Sequence, residues 1–165
     1  MQIHILGNVC SGKTYIVKKI SRKFKLKNFS LDEIVFKRDH SKRTDTEISS
    51  SIEALIKNKN RISEGGFIKE AWAIRVLKNT EKVYVLRVNL FIQLWRVIKR
   101  NYEFRISKNP ETWVHFLKMI KYVFKNKSIY KEYELHLQKI GVKYKKVKSL
   151  EEIVSLNTYF LPKMK

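Results

Sequence analysis

Eight residues near the amino terminus carry the plainest chemistry in this sequence. Gly7-Asn8-Val9-Cys10-Ser11-Gly12-Lys13-Thr14 satisfies the pattern G-x-x-x-x-G-K-[ST]. Glycines let such a loop curl until successive backbone N–H groups face one anion, and the following helix adds the positive end of its dipole. The ammonium of Lys13 is then placed to reach β- and γ-phosphates, and the Thr14 hydroxyl to ligate Mg²⁺. With glycine at about 7% of residues on average, a chance match in a chain this long falls below about one in a hundred. Two of the five glycines stand in this loop. These residues predict a site for ATP with Mg²⁺; the alternative is a tight strand-to-helix turn that holds no ligand.

Phosphate loops of this kind work with carboxylates at neighbouring strand ends, which hold the metal's water shell or activate the attacking hydroxyl. Two places qualify. Asp32 and Glu33 interrupt the apolar run FSLDEIVF, and Glu64 closes RISEGG. Asp32 reads either as one of these functional carboxylates or as a helix cap or surface carboxylate, and Glu64 either as one of them or as a salt-bridge partner. Gly65-Gly66 favours function at Glu64, because bare backbone admits a ligand closely. Further on, Arg96 and Arg100 lie four residues apart on one helical face, which suits the charge of a triphosphate. Among 36 basic residues such a pair also arises by chance. Arg38 and Arg75 are weaker candidates. Cys10 lies inside the loop near a helix start, which activates a thiol only if a base is at hand; His4 is the nearest histidine in sequence. A passive loop residue is the competing reading. His40, His115 and His136 show no metal-ligand spacing, and one cysteine makes no thiolate cluster.

Elements that can position these residues follow from the apolar pattern. Strands are expected at Met1–Leu6, Phe29–Phe36, Arg61–Glu64, Lys82–Val88 and Val142–Val147. Helices are expected at Lys13–Phe24, Thr46–Lys57, Ala71–Leu77, Leu90–Tyr102, Glu111–Phe124, Ile129–Ile140 and Leu150–Leu156. Residues 37–45 contain no hydrophobic side chain and read as an exposed connection. Trp113, Phe116, Met119, Ile120 and Phe124 recur at helical spacing, as core or as an apolar contact surface rather than a stacking platform. Strands alternating with helices predict an α/β sheet with right-handed crossovers, in one domain spanning 1–165.

Composition narrows the setting. Apolar residues make up 44% of 165, enough for a buried core and too many for a disordered chain. A lone cysteine excludes internal disulfides and fits a reducing compartment. No run approaches the ~18 apolar residues of a membrane span, and the first apolar run is too short for a signal peptide, so a cytoplasmic protein without membrane contact is expected. The formal charge of +21 attracts polyanions such as nucleic acid non-specifically, or else reflects a lysine-rich soluble surface.

Taken together, MQIHILGNVCSGKT, SLDEIVFKRD, RISEGGF, LWRVIKR, the helical WVHFLKMI stretch and the closing KSLEEI resemble the adenylate-kinase-like P-loop proteins often labelled DNA topology modulation proteins. The resemblance runs through nearly the whole chain. It implies a five-stranded parallel sheet in the order 2-3-1-4-5, with helices on both faces and a short mobile lid, here at about 101–112 and including Arg105. It also implies that Lys13 and Thr14 take the phosphate and metal positions, that Asp32 faces the acceptor, and that Arg96 and Arg100 embrace the nucleotide from the base of the lid. Where such proteins usually read Asp-Gly-Asn-Tyr, this chain reads Glu64-Gly65-Gly66-Phe67. Three functions remain open at this point. They are phosphoryl transfer from ATP to a small acceptor such as a nucleotide or nucleoside, a nucleic-acid-binding ATPase or regulator, and nucleotide binding without catalysis.

Overall fold

In a computed structural model, residues 1–39, 41–106 and 112–158 are described. Gln2–Gly7 (β1) is buried along its whole length, as a parallel strand covered on both faces must be. It lies at the centre of five parallel strands, with Lys27–Ser30 (β2), Arg61–Glu64 (β3), Lys82–Leu86 (β4) and Tyr144–Val147 (β5) in the order β2-β3-β1-β4-β5. The order is the one implied by the resemblance. Side chains alternate across the sheet. Ile3 and Ile5 face Ile16, Val17 and Ile20 of Lys13–Phe24 (α1) together with Ile153 of Leu150–Thr158 (α8). Leu6, Val83 and Val85 point the other way, onto Leu77 of Ala71–Lys78 (α4) and Tyr130, Tyr133 and Leu137 of Asn126–Lys139 (α7).

One element departs from expectation in a way that matters for the site. The apolar run Phe29–Phe36 is not a continuous strand: β2 ends at Ser30, and Leu31–Val35 is a short helix (α2). The Glu33 N–H donates to the Ser30 hydroxyl at 3.4 Å, and Asp32 and Glu33 occupy the first turn, where carboxylates suit the helix dipole. Leu31 and Val35, four apart, bury the inner face against Ile48, Ile52 and Leu55 of Asp45–Lys57 (α3). Helix α3 starts one residue earlier than expected because Thr44 and Glu47 form a reciprocal capping box. Between the two helices the chain doubles back, with a bridge between Phe36 and Lys42.

Leu90–Ile106 (α5) outlasts its expected end at Tyr102, and Thr112–Phe124 (α6) packs against it. Of the lid expected at 101–112, residues 101–106 therefore continue α5, and 107–111 lie outside the described residues, as does His40. The side chains of Arg105, Trp113 and His115 also lie outside them. Val97, Met119 and Val123 form the core of this hairpin, and Phe116 and Ile120 pack against it; Phe124 is exposed. Among the described residues no helix is long and apolar enough to cross a membrane.

Arg61 is fully buried at the start of β3. Its guanidinium donates from Nη1 to the carbonyls of Ile56 (3.2 Å) and Asn58 (2.9 Å), and from Nη2 to the carbonyl of Asn79. These oxygens end α3 and α4, where helices leave carbonyls unpaired and carry partial negative charge. One side chain thus ties two helix ends to the sheet. Arg61→Ala should lower unfolding free energy by roughly 2–4 kcal/mol, because several buried carbonyls lose their donors. Urea denaturation checks this, and a loss below about 1 kcal/mol would mean that water replaces the guanidinium.

Candidate active site

The loop between β1 and α1 is shaped by what its two glycines avoid. At Gly7 a Cβ would meet the Ser11 hydroxyl at 2.9 Å and the Leu86 carbonyl at 3.2 Å. Gly12 adopts φ +90°, and a Cβ there would stand 2.9 Å from Nη1 of Arg96, so both its conformation and its surroundings demand glycine. Cys10 also has positive φ, at 55°. Arg96, from α5, donates through Nη1 to the Ser11 carbonyl at 2.7 Å and more weakly to the Cys10 carbonyl at 3.4 Å. A trans peptide sets its C=O and N–H on opposite sides, so fixing the Ser11 carbonyl on Arg96 turns the Gly12 N–H the other way.

The remaining loop residues are held from within and from α6. The Asn8 side chain accepts from the Val9 N–H at 2.8 Å and donates to the Tyr122 carbonyl at 3.1 Å. Val9 and Cys10 pack against the α5–α6 hairpin. That apolar setting favours the passive reading of Cys10. The histidine that sequence proximity offered as its base is engaged elsewhere. His4 Nδ1 lies 2.8 Å from the Ser63 hydroxyl, and burial, aided by Arg61 and Lys13, lowers its pKa to about 3. His4 is neutral at any ordinary pH.

Lys13 and Thr14 stand where α1 begins. The Lys13 ammonium donates to the Asn8 carbonyl at 3.0 Å; burial lowers its pKa, against the opposing pull of Glu64, Asp32 and Cys10. The Thr14 hydroxyl donates to Glu64 Oε1 at 2.6 Å, joining the start of α1 to the end of β3. Burial raises the Glu64 pKa, while the Thr14 hydrogen bond and the Lys13 charge act the other way. Glu64 is therefore not a mere surface salt bridge. The sequence-predicted residues meet in one cleft of about 1190 Å³, whose walls include Lys13, Thr14, Asp32, Glu64, Arg96 and Arg100. Arg75 instead pairs with Glu53 at 2.5 Å.

These residues fit Mg·ATP. The glycine cradle has no room for side chains, the buried Ser11 hydroxyl has no hydrogen-bond partner, and a hydroxyl and a carboxylate already touch where a hard cation takes oxygen ligands. Sequence reasoning missed Tyr133 of α7, whose hydroxyl lies 3.5 Å from the Gly7 carbonyl and would meet a Cβ on Gly66 at 2.9 Å. It also missed Phe36, Phe67, Lys69, Glu70 and Glu132, all lining the cleft. Apart from Gly65-Gly66, which stands beside Phe67, no local pattern in the sequence marks them.

No protein-family model matches the chain, and no curated protein matches it by sequence. Solved structures do. Shikimate kinase from Bacteroides thetaiotaomicron superposes with a TM-score of 0.62 at 16% identity, covering 96% of this chain and 97% of that one. Shikimate kinase from Acinetobacter baumannii, in complex with shikimate, gives 0.58 at 16% identity over 99% and 94%. A gluconokinase from Sinorhizobium meliloti 1021 gives 0.53 at 12% identity over 96% and 95%. At such identities the likeness is one of fold: the five-stranded P-loop kinase architecture, along nearly the full length of each chain.

Glu64 supplies a test of the site's electrostatics. A carboxyl whose folded pKa is raised destabilises the fold above that pKa, and the penalty is relieved as pH falls through it. Ligand-free Glu64→Gln should therefore melt higher than the parent chain at pH 8, with the gap closing towards pH 5. A variant less stable at pH 8 would show that Thr14 and Lys13 outweigh burial.

Proposed function

We propose that the protein is a P-loop phosphotransferase that moves the γ-phosphoryl group of ATP to a hydroxyl of a small acceptor. One observation carries this reading: the loop lysine, the Thr14–Glu64 contact, Asp32 and the Arg96–Arg100 face all open onto a single cleft. The kinase neighbours share its fold and support the same reading by analogy.

The roles follow from position. Lys13 and the loop N–H groups bind phosphate oxygens, and Thr14, with Glu64 behind it, holds the metal side. Mg²⁺, when bound, neutralises charge on the β- and γ-phosphates. Asp32, raised on the first turn of α2 at the same cleft, accepts the proton of the attacking hydroxyl. The new O–P bond forms as the bridging bond to the β-phosphate breaks, and ADP leaves. Arg100 offsets charge on the transferring group, and Arg96 does so through the loop it grips. The Glu64-Gly65-Gly66 departure does not require a silent site, because the longer glutamate reaches Thr14 directly. The resemblance to DNA topology modulation proteins rests on the sequence motifs alone. We assign the charge of +21 to non-specific attraction for polyanions, separate from the cleft.

Lys13→Ala should abolish the rise in melting temperature that Mg·ATP gives the parent chain; a rise that persists would overturn the site. Asp32→Asn should keep that rise and lose roughly 10²–10⁴-fold in acceptor-dependent ADP release, the usual contribution of a general base.

A further inference from the structure

The cleft has two ends of opposite character. At the phosphate end stand the cations Lys13, Arg96 and Arg100. The other end is built by α2, the segment following β3, and α7. There the walls carry Asp32, Glu70 and Glu132 against Lys69, the single cation among the described lining residues of that end. Lys69 is already engaged, its ammonium 2.5 Å from the Glu132 carboxylate, and that contact raises its pKa. In a chain where cations outnumber anions 36 to 15, this end runs against the prevailing sign.

The same end offers an aromatic wall. Phe36, 39% exposed, closes α2. Its ring centroid lies 6.4 Å from that of Phe67, and Phe67 leans on Trp72 at 5.1 Å. Successive rings are tilted by 37° and 59°, and the partly exposed Phe36 offers a face on which a planar ligand can stack. Gly66, between Phe67 and the Tyr133 hydroxyl, leaves the adjacent backbone bare.

An anionic acceptor needs a free cation near its charge, and the like charges of these solvent-facing carboxylates repel it. Shikimate, bound in one of the structures compared above, is a carboxylate; the acceptor end here meets a carboxylate with carboxylates. Resting on the phosphotransferase reading, we propose that the acceptor is an uncharged or cationic hydroxyl compound with a planar unsaturated ring. The ring lies on Phe36 and Phe67, its hydroxyl reaches Asp32, and nucleoside monophosphates and sugar acids are rejected by charge.

Calorimetric titration of the full chain tests this in two stages. Binding of Mg·AMP-PNP is measured first; its absence would overturn the donor site and the phosphotransferase reading with it. With that ligand saturating, four nucleosides, their 5′-monophosphates and two aromatic amino alcohols are titrated as probes. At least one nucleoside or amino alcohol should bind, and each monophosphate should bind at least tenfold more weakly than its nucleoside. Tighter binding by monophosphates, or no binding by any neutral or cationic probe, would overturn the acceptor class while leaving the donor site standing. Glu132→Gln, which frees Lys69, should shift the nucleoside-to-monophosphate ratio at least tenfold towards the monophosphate. An unchanged ratio would overturn the charge account.

Discussion

The grip of Arg96 on the carbonyls of Ser11 and Cys10 is the contact through which the rest of the site is held. A phosphate loop must present N–H groups on its concave side, so its carbonyls have to face elsewhere, and outside water they need donors. The guanidinium supplies these at 2.7 and 3.4 Å, in the space that Gly12 leaves empty. The requirement runs both ways. Glycine at position 12 permits the positive φ that curls the loop, and its missing Cβ admits the arginine that keeps it curled.

That contact joins distant parts of the chain. Arg96 rides on α5, which follows β4 and pairs with α6 through Val97, Met119 and Val123. Both helices touch the loop a second time, with apolar contacts to Val9 and Cys10 and with the Tyr122 carbonyl on Asn8. Opposite them, Thr14 reaches across to Glu64 at the end of β3. The loop is thus clamped between the β4 side and the β3 side of the sheet. Placing β1 in the middle is what makes both clamps possible, since its carboxyl end opens between the neighbours that carry them. Any displacement of α5 must therefore be felt at the loop amides.

The parts legible in the sequence were those written in local pattern. The glycine–lysine–threonine signature, the buried β1 run and Arg61–Glu64 needed only spacing and period. Asp32 lines the cleft, but from a helical turn rather than from the strand expected there. A run with Leu31, Ile34 and Val35 satisfies a strand by composition, and only the Ser30 cap with two acids behind it tips the balance to a helical turn. Other features depend on residues far apart in sequence. Nothing near Arg61 says that it will meet the ends of two helices, and nothing near Glu132 says that it will neutralise Lys69. Such pairings arise only when crossovers place α7 beside the segment following β3, and single-sequence periodicity does not carry that information. The lysine-rich composition even hid the acidic end of the cleft, because a total charge of +21 describes the surface as a whole.

Burial has moved both central titrating groups in the same sense, towards neutrality. The Lys13 ammonium is held more weakly protonated than in water, and the Glu64 carboxyl more strongly. Each keeps a partial partner, the Asn8 carbonyl for one and the Thr14 hydroxyl for the other. Neither contact cancels the effect of burial on its group. The two deficits are opposite in sign and side by side, and they call for an object with negative oxygens on one flank and a cation on the other. A magnesium-bound phosphate chain, the ligand proposed for this cleft, has that distribution. The same reasoning limits what belongs at the far end of the cleft. Asp32 needs a nearby hydroxyl to act on, and with Glu70 and Glu132 on the same walls, a further anion there would meet like charge.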